Sequence, residues 1–153
     1  MPQFFFDTSA FAKRYHEEAG AARVTSIFET TASVFQLSNL GVLETRSAFA
    51  MKVRTGEIVE GKAVALHSAL LADIAKNVVS VIMVDPIHFG LAAVLISKYG
   101  YTRRMRTLDA LQLAVALDLR RKGLLDIFVV ADKLLAEIAA LEGLTPLNPE
   151  DSP

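Results

Sequence analysis

The chain has 153 residues, 52% of them apolar, no cysteine and a formal net charge of -1 at pH 7. That length suits one domain with its own core, while the composition excludes a disulfide framework, a thiolate nucleophile and nucleic-acid binding by global charge, so any basic footprint is local. The longest apolar runs, such as Val81 to Val84 and Leu91 to Ile96, fall far short of the ~20 residues that span a bilayer, and Asp7, Lys13 and Arg14 interrupt any signal-like start, so a soluble, cytoplasmic protein with no membrane contact is expected.

Gln3 to Phe6 reads as a first strand ending on Asp7, and Thr8 and Ser9 offer hydroxyls to cap a helix from about Ala10. A second helix is predicted over Ala21 to Thr31. A short apolar segment around Val34 to Leu37 leads into Ser38 and Asn39, start signals for a helix through Glu44 to about Arg54, stopped at Gly56. Another helix follows over Val59 to Lys76. The run VVSVIMV, residues 78 to 84, is apolar on both faces apart from Ser80, the pattern of a strand buried between helical layers. Pro86 opens a helix to about Tyr99. The polar segment YTRRMRT links it to a helix over Leu108 to Lys122, DIFVVAD is a strand running into a helix from Asp132 to Glu142, and TPLNP suits a short last strand. Strands separated by helices predict an α/β fold, a single domain over 1–149 with a central parallel sheet of four to five strands flanked by helices, and a loose tail at 150–153.

Four acids stand in unusual places. Asp7 and Asp132 fall where a strand ends and a helix begins, the edge at which open α/β sheets bind ligands; capping a helix is the alternative for each. Glu44 shares a helical stripe with Leu40, Ala48 and Met51, and Asp109 shares one with Leu113 and Ala116 in a helix that is mostly apolar up to Asp118. Either could be an edge-of-core side chain reaching water. Together they imply more, because two unit charges ~4 Å apart repel by ~4 kcal/mol at an effective dielectric near 20, and a cluster of them opposes folding by an amount comparable with a total stability of ~5–15 kcal/mol. A divalent cation offsets that repulsion, and an all-oxygen donor set selects Mg²⁺ or Mn²⁺. His16, His67 and His88 are isolated and read as surface or hydrogen-bonded histidines.

The segments FFFDTSAFAKRYHEE, LETRSAFA, RTLDALQLAVAL and FVVADKLLAEIAALEGLTPLNP, in that order and spacing over nearly the whole chain, resemble the PIN-domain ribonucleases and most closely the toxins of VapBC-type toxin–antitoxin pairs. The resemblance implies a PIN-like domain whose catalytic and metal-binding acids are Asp7, Glu44, Asp109 and Asp132. The family often has a hydroxyl residue two positions before the last acid; Val130 stands there, which leaves the metal contact of Asp132 open and the other three acids untouched.

The site type implies Mg²⁺-dependent hydrolysis in which a metal-activated water attacks a phosphodiester in line, and the resemblance implies that the enzyme is an endoribonuclease. The resemblance implies 5′-phosphate and 3′-hydroxyl products. Thr8 and Ser9 are expected to orient a ligand or water, and Tyr101, Arg103, Arg104 and Arg106 to hold RNA, unless they form only a solvated linker. Asp126, at the other end of its strand, is expected to lie remote from the site. The apolar excess of the helices over Ala21 to Thr31 and Val59 to Lys76 suggests a homodimer and a groove for the C-terminal segment of an antitoxin, which would bring a basic side chain to Asp7, Glu44 and Asp109; a dense core is the other explanation. A catalytically decayed PIN-fold binding module acting through a protein partner is the alternative function. A haloacid dehalogenase-type phosphatase also starts from a first-strand aspartate, but that chemistry needs an acid two residues on, where Ser9 stands.

Overall fold

The computed structural model describes residues 1–152; Pro153, the end of the expected tail, lies outside the described residues. In chain order the elements are β1 (Gln3–Phe6), α1 (Thr8–Phe11, continued by a 3₁₀ turn at Ala12–Arg14), α2 (Ala21–Phe28), β2 (Val34–Ser38), α3 (Asn39–Arg54), α4 (Glu60–Ala75), β3 (Ser80–Ile82), α5 (Pro86–Tyr99), α6 (Thr107–Arg121), β4 (Ile127–Val129), α7 (Lys133–Leu141) and β5 (Pro146–Leu147). The five strands form one sheet in the order β3-β2-β1-β4-β5, and every pairing is parallel.

The phenylalanine run explains why β1 is central. Successive strand residues point to opposite faces, so Phe5 enters the core with α5, α6 and α7, stacked on Phe128, whereas Phe4 and Phe6 enter the other with Phe11, Phe35 and Leu37. Each buried phenylalanine stabilises the fold by about 1.5–3 kcal/mol. Helix α6 is covered almost all round, with Ala110 through Ala116 buried, and it packs along α5 under the sheet.

Several expectations are corrected. The segment 78–84 is not buried between two layers: β3 pairs only with β2 at the sheet edge, Ser80 is exposed and Met83 is 64% exposed. The segment around Val34 forms a full strand, in which Gln36 is satisfied by donating to the Leu124 carbonyl at 2.8 Å. Helix α2 stops at Phe28, because the chain reverses through Ala32, at φ 56°, to reach β2. Residues 150 and 151 are not loose: Lys13 Nζ lies 2.7 Å from Glu150 Oε1, and Arg23 Nη1 donates to the Asp151 carbonyl at 3.0 Å.

Candidate active site

The parallel sheet sends the ends of β1 and β4 to one edge, where α1 and α7 begin, and α3 and α6 bring a helical acid each to the same place. The result is a cavity of about 370 Å³ whose lining includes Asp7, Glu44, Asp109 and Asp132 together with Thr8, Ser9, Arg54 and Arg106. All four predicted acids are thus brought to one concavity. Asp126 stands at the opposite end of β4, accepting from the Gln3 N–H at 2.9 Å.

Asp7 is 5% exposed and caps α1 itself, accepting from the Ser9 N–H at 3.0 Å. The expectation that Thr8 and Ser9 do the capping is corrected, since their hydroxyls are used elsewhere. Ser9 Oγ donates to Asp7 Oδ2 and accepts from the Ala131 N–H at 3.0 Å, tying the end of β1 to the end of β4. Thr8 Oγ1 donates to Glu44 Oε1 at 3.2 Å. Asp132 also caps its helix, accepting from the Leu135 N–H at 2.9 Å. Capping and site membership are therefore compatible: Asp7, Glu44 and Asp132 each commit one oxygen to hydrogen bonds with the protein, and the other has no such partner among the described residues. Val130, fully buried, gives its N–H to the Leu147 carbonyl and supplies no side-chain polar group.

Burial pushes the Asp7 carboxyl up to about 6; the Ser9 hydrogen bonds pull it back, and the neighbouring charges of Glu44 and Asp109 push it further up. Glu44 is raised, first by burial and then by Asp109, against hydrogen bonds from Gln112 and Thr8. Asp109 is raised by burial and by Asp132, against the Arg106 cation, whose Nε lies 3.4 Å from Asp109 Oδ2. Asp7 thus feels the charges of Glu44 and Asp109, Glu44 that of Asp109, and Asp109 that of Asp132. Their all-oxygen chemistry fits a hard divalent cation such as Mg²⁺ or Mn²⁺. They stand round the cavity rather than in a closed cage: among the described residues no three side chains of the His, Cys, Asp or Glu type are gathered tightly enough to enclose a metal ion.

Gln112, which the sequence reading missed, and Ser38, read there only as a helix start, hold this arrangement. Gln112, 1% exposed, donates from Nε2 to Glu44 Oε1 at 3.0 Å and to Thr8 Oγ1 at 3.4 Å, while its Oε1 accepts from Ser38 Oγ at 2.8 Å. Ser38 in turn caps α3 by accepting from the Gly41 N–H. The signal was legible: Gln112 is the one polar residue between Ala110 and Leu117, three positions after Asp109. Gln112→Leu is expected to cost about 1–3 kcal/mol in urea melts, because Ser38 and Glu44 lose a buried partner. If the site is catalytic, the same change lowers activity about 10- to 100-fold.

Of the expected RNA-binding residues, Arg106 lines the acidic cavity and Arg104 a small adjoining cleft that shares Asp109 and Asp132. Arg103 instead faces Glu137, at 3.9 Å, and Tyr101 is 89% exposed and lines neither. His88 is satisfied, its Nδ1 accepting from the Asp85 N–H and its Nε2 lying 3.1 Å from Asp118. His67 departs from expectation, since its buried Nδ1 has no hydrogen-bond partner.

No protein-family model matches the sequence, and no curated protein matches it significantly. Solved structures do. The chain is similar to the VapC20 toxin of Mycobacterium tuberculosis, described as cleaving the sarcin-ricin loop, at 22% identity and a TM-score of 0.67 over 98% of this chain and 99% of that one. It is also similar to FitAcB of Neisseria gonorrhoeae, at 16% identity and a TM-score of 0.67 over 95% and 97%. FitAB bound to the IR36 DNA fragment matches at 15% identity and a TM-score of 0.66 over 98% and 97%. The fold is the α/β PIN-like fold of these proteins.

Proposed function

We infer that this chain of PIN-like fold is a metal-dependent endoribonuclease that hydrolyses RNA phosphodiesters, and that it acts in the cytoplasm as the toxin of a toxin–antitoxin pair. The observation that carries the reading is the convergence of four carboxylates, from the ends of two strands and the faces of two helices, on one cavity at the C-terminal edge of the sheet. The described activity of VapC20, a toxin of the same fold that cleaves an RNA loop, supports it.

Asp7, Glu44, Asp109 and Asp132 would hold Mg²⁺ or Mn²⁺. Such an ion, when bound, neutralises the acids and the scissile phosphate and lowers the pKa of water, which supplies the nucleophile. Ser9 fixes the Asp7 carboxylate through its hydroxyl, and Thr8 with Gln112 fixes Glu44. Arg106 is the cation placed to pair with a phosphate oxygen, with Arg104 beside it; Tyr101 and Arg103 extend the contact to flanking RNA. Attack by water leaves a 5′-phosphate and a 3′-hydroxyl.

Incubation with structured and single-stranded RNA decides the reading. Cleavage in Mg²⁺, abolished by EDTA and leaving 5′-phosphates, is the expected result; no cleavage of any RNA with Mg²⁺ or Mn²⁺ would leave a binding module that acts through a partner. That second reading draws on the open spacing of the acids.

For assembly, a homodimer is proposed through α5, whose Ile87, Phe89 and Val94 are 48%, 59% and 63% exposed. Helix α4 likewise exposes Leu71, whereas α2, an expected contributor, presents no large exposed apolar side chain. The antitoxin's C-terminal segment is proposed to cover the remaining apolar surface and to set a basic side chain among the acids. Light scattering across a tenfold dilution is expected to show a constant dimer mass; a monomer throughout removes that part of the proposal.

A further inference from the structure

The groove between α3 and α4 is a second cavity, of about 380 Å³, with Phe49, Val53 and Val64 among its apolar walls and Arg46, Arg54 and His67 among its polar ones. It shares Arg54 with the acidic cavity, which in turn shares Asp109 and Asp132 with the cleft at Arg104. The three depressions therefore form one track, with the acids in the middle and arginines along its length.

The guanidiniums on the α3 side are free. The arginine ion pairs among the described residues are Arg14 with Asp73, Arg103 with Glu137, Arg106 with Asp109 and Arg121 with Asp118, so Arg46 and Arg54 are in none. They stand eight residues apart on α3, ~12 Å along its axis, and two turns of helix keep them close to one face. Glu60 is the single acid on the groove's lining. The ring of His67 lines the same groove, with its Nδ1 turned out of reach of solvent. Unpaired cations beside an apolar slot match a phosphate and a base face. An apolar helix from a protein partner would use the walls and leave the cations unanswered.

Resting on the ribonuclease reading, we propose that the α3–α4 groove binds a nucleotide flanking the scissile phosphate, so that single-stranded RNA lies along the track from Arg104 across the acids to Arg46. Arg46 and Arg54 hold its phosphates, and Val53 and Val64 contact the base.

The test is fluorescence anisotropy of a labelled single-stranded RNA of roughly ten nucleotides, a length in the range such tracks cover, with the full chain in EDTA so that nothing is cut. Arg46→Ala is expected to weaken binding about 10-fold at low salt and to reduce the slope of log affinity against log salt by about 0.7, the value for one lost single-strand phosphate contact. Val64→Gln, which makes the exposed apolar wall polar without adding charge, is expected to weaken binding several-fold with the slope unchanged. Wild-type affinity and slope in both variants, with native circular dichroism, overturn the proposal, as does a groove that captures an apolar helical peptide while RNA binding ignores both changes. A wild-type chain that cuts RNA while both variants bind normally loses only the flanking site; one that neither cuts nor binds RNA loses the nuclease reading as well.

Discussion

Asp7→Asn is expected to reduce Mg²⁺-dependent RNA cleavage by about two to three orders of magnitude, the range for deleting one group that stabilises transition-state charge, and to raise the stability of the metal-free protein. The second effect follows from linkage. Without metal, the Asp7 carboxyl is pushed from its usual 3.8 to about 6, chiefly by burial. Between those values the folded chain binds more protons than the unfolded one, so stability falls as pH rises through the window. The contribution is complete below 3.8 and lost above about 6, where the ionised carboxylate costs on the order of 3 kcal/mol. Asparagine removes the charge but keeps an acceptor for the Ser9 N–H, so the cap of α1 survives. Melts in EDTA at pH 7.5 should therefore place Asp7→Asn above wild type by several degrees, each kcal/mol being worth roughly 2–4 °C at this size, and the gap should close towards pH 4. A variant melting well below wild type at pH 7.5 would show that the charge on Asp7 is needed to cap α1.

Asp109→Asn and Asp126→Asn should differ by a factor of about 100 or more in cleavage rate. Both are aspartates of the C-terminal half, but Asp109 lines the acidic cavity beside Arg106, while Asp126 lies at the far edge of the sheet, accepting from the Gln3 N–H. Loss of Asp126 removes one exposed hydrogen bond and is expected to leave cleavage near wild type. A folded, inactive Asp126→Asn would contradict the placement of the site at the C-terminal edge.

What the sequence disclosed and what it hid have physical reasons. The Phe4 to Phe6 run read as a strand entering a core, and the long helices announced themselves by caps and stops such as Ser38, Gly56 and Pro86. An apolar stretch does not say how many neighbours it has, so the edge position of β3 was hidden, and Gln36 obscured β2 because its partner, the Leu124 carbonyl, is 88 residues away. The acids were legible because a carboxylate on an apolar stripe or at a strand end needs a reason. Which hydroxyl caps α1, and which amide holds Glu44, depended on contacts between α1, α3 and α6 that no local pattern carries. Among the arginines, the YTRRMRT segment showed basic residues near Asp109 but not which way each side chain turns; Arg106 reaches the cavity and Arg103 goes to Glu137.

Whether the four carboxylates act as one metal site can be measured without knowing the RNA. Calorimetric titration of the metal-free chain with Mn²⁺ should give a binding event that weakens as pH falls below about 6, where Asp7 takes up its proton. Asp7→Asn and Asp109→Asn should each weaken it by at least the roughly 10- to 100-fold that even the outer groups of a metal site are worth, and Asp126→Asn should leave it unchanged. Mn²⁺ binding indifferent to both Asp7→Asn and Asp109→Asn, or absent from the folded wild-type chain, would contradict the assignment of this cavity as a metal-dependent nuclease site.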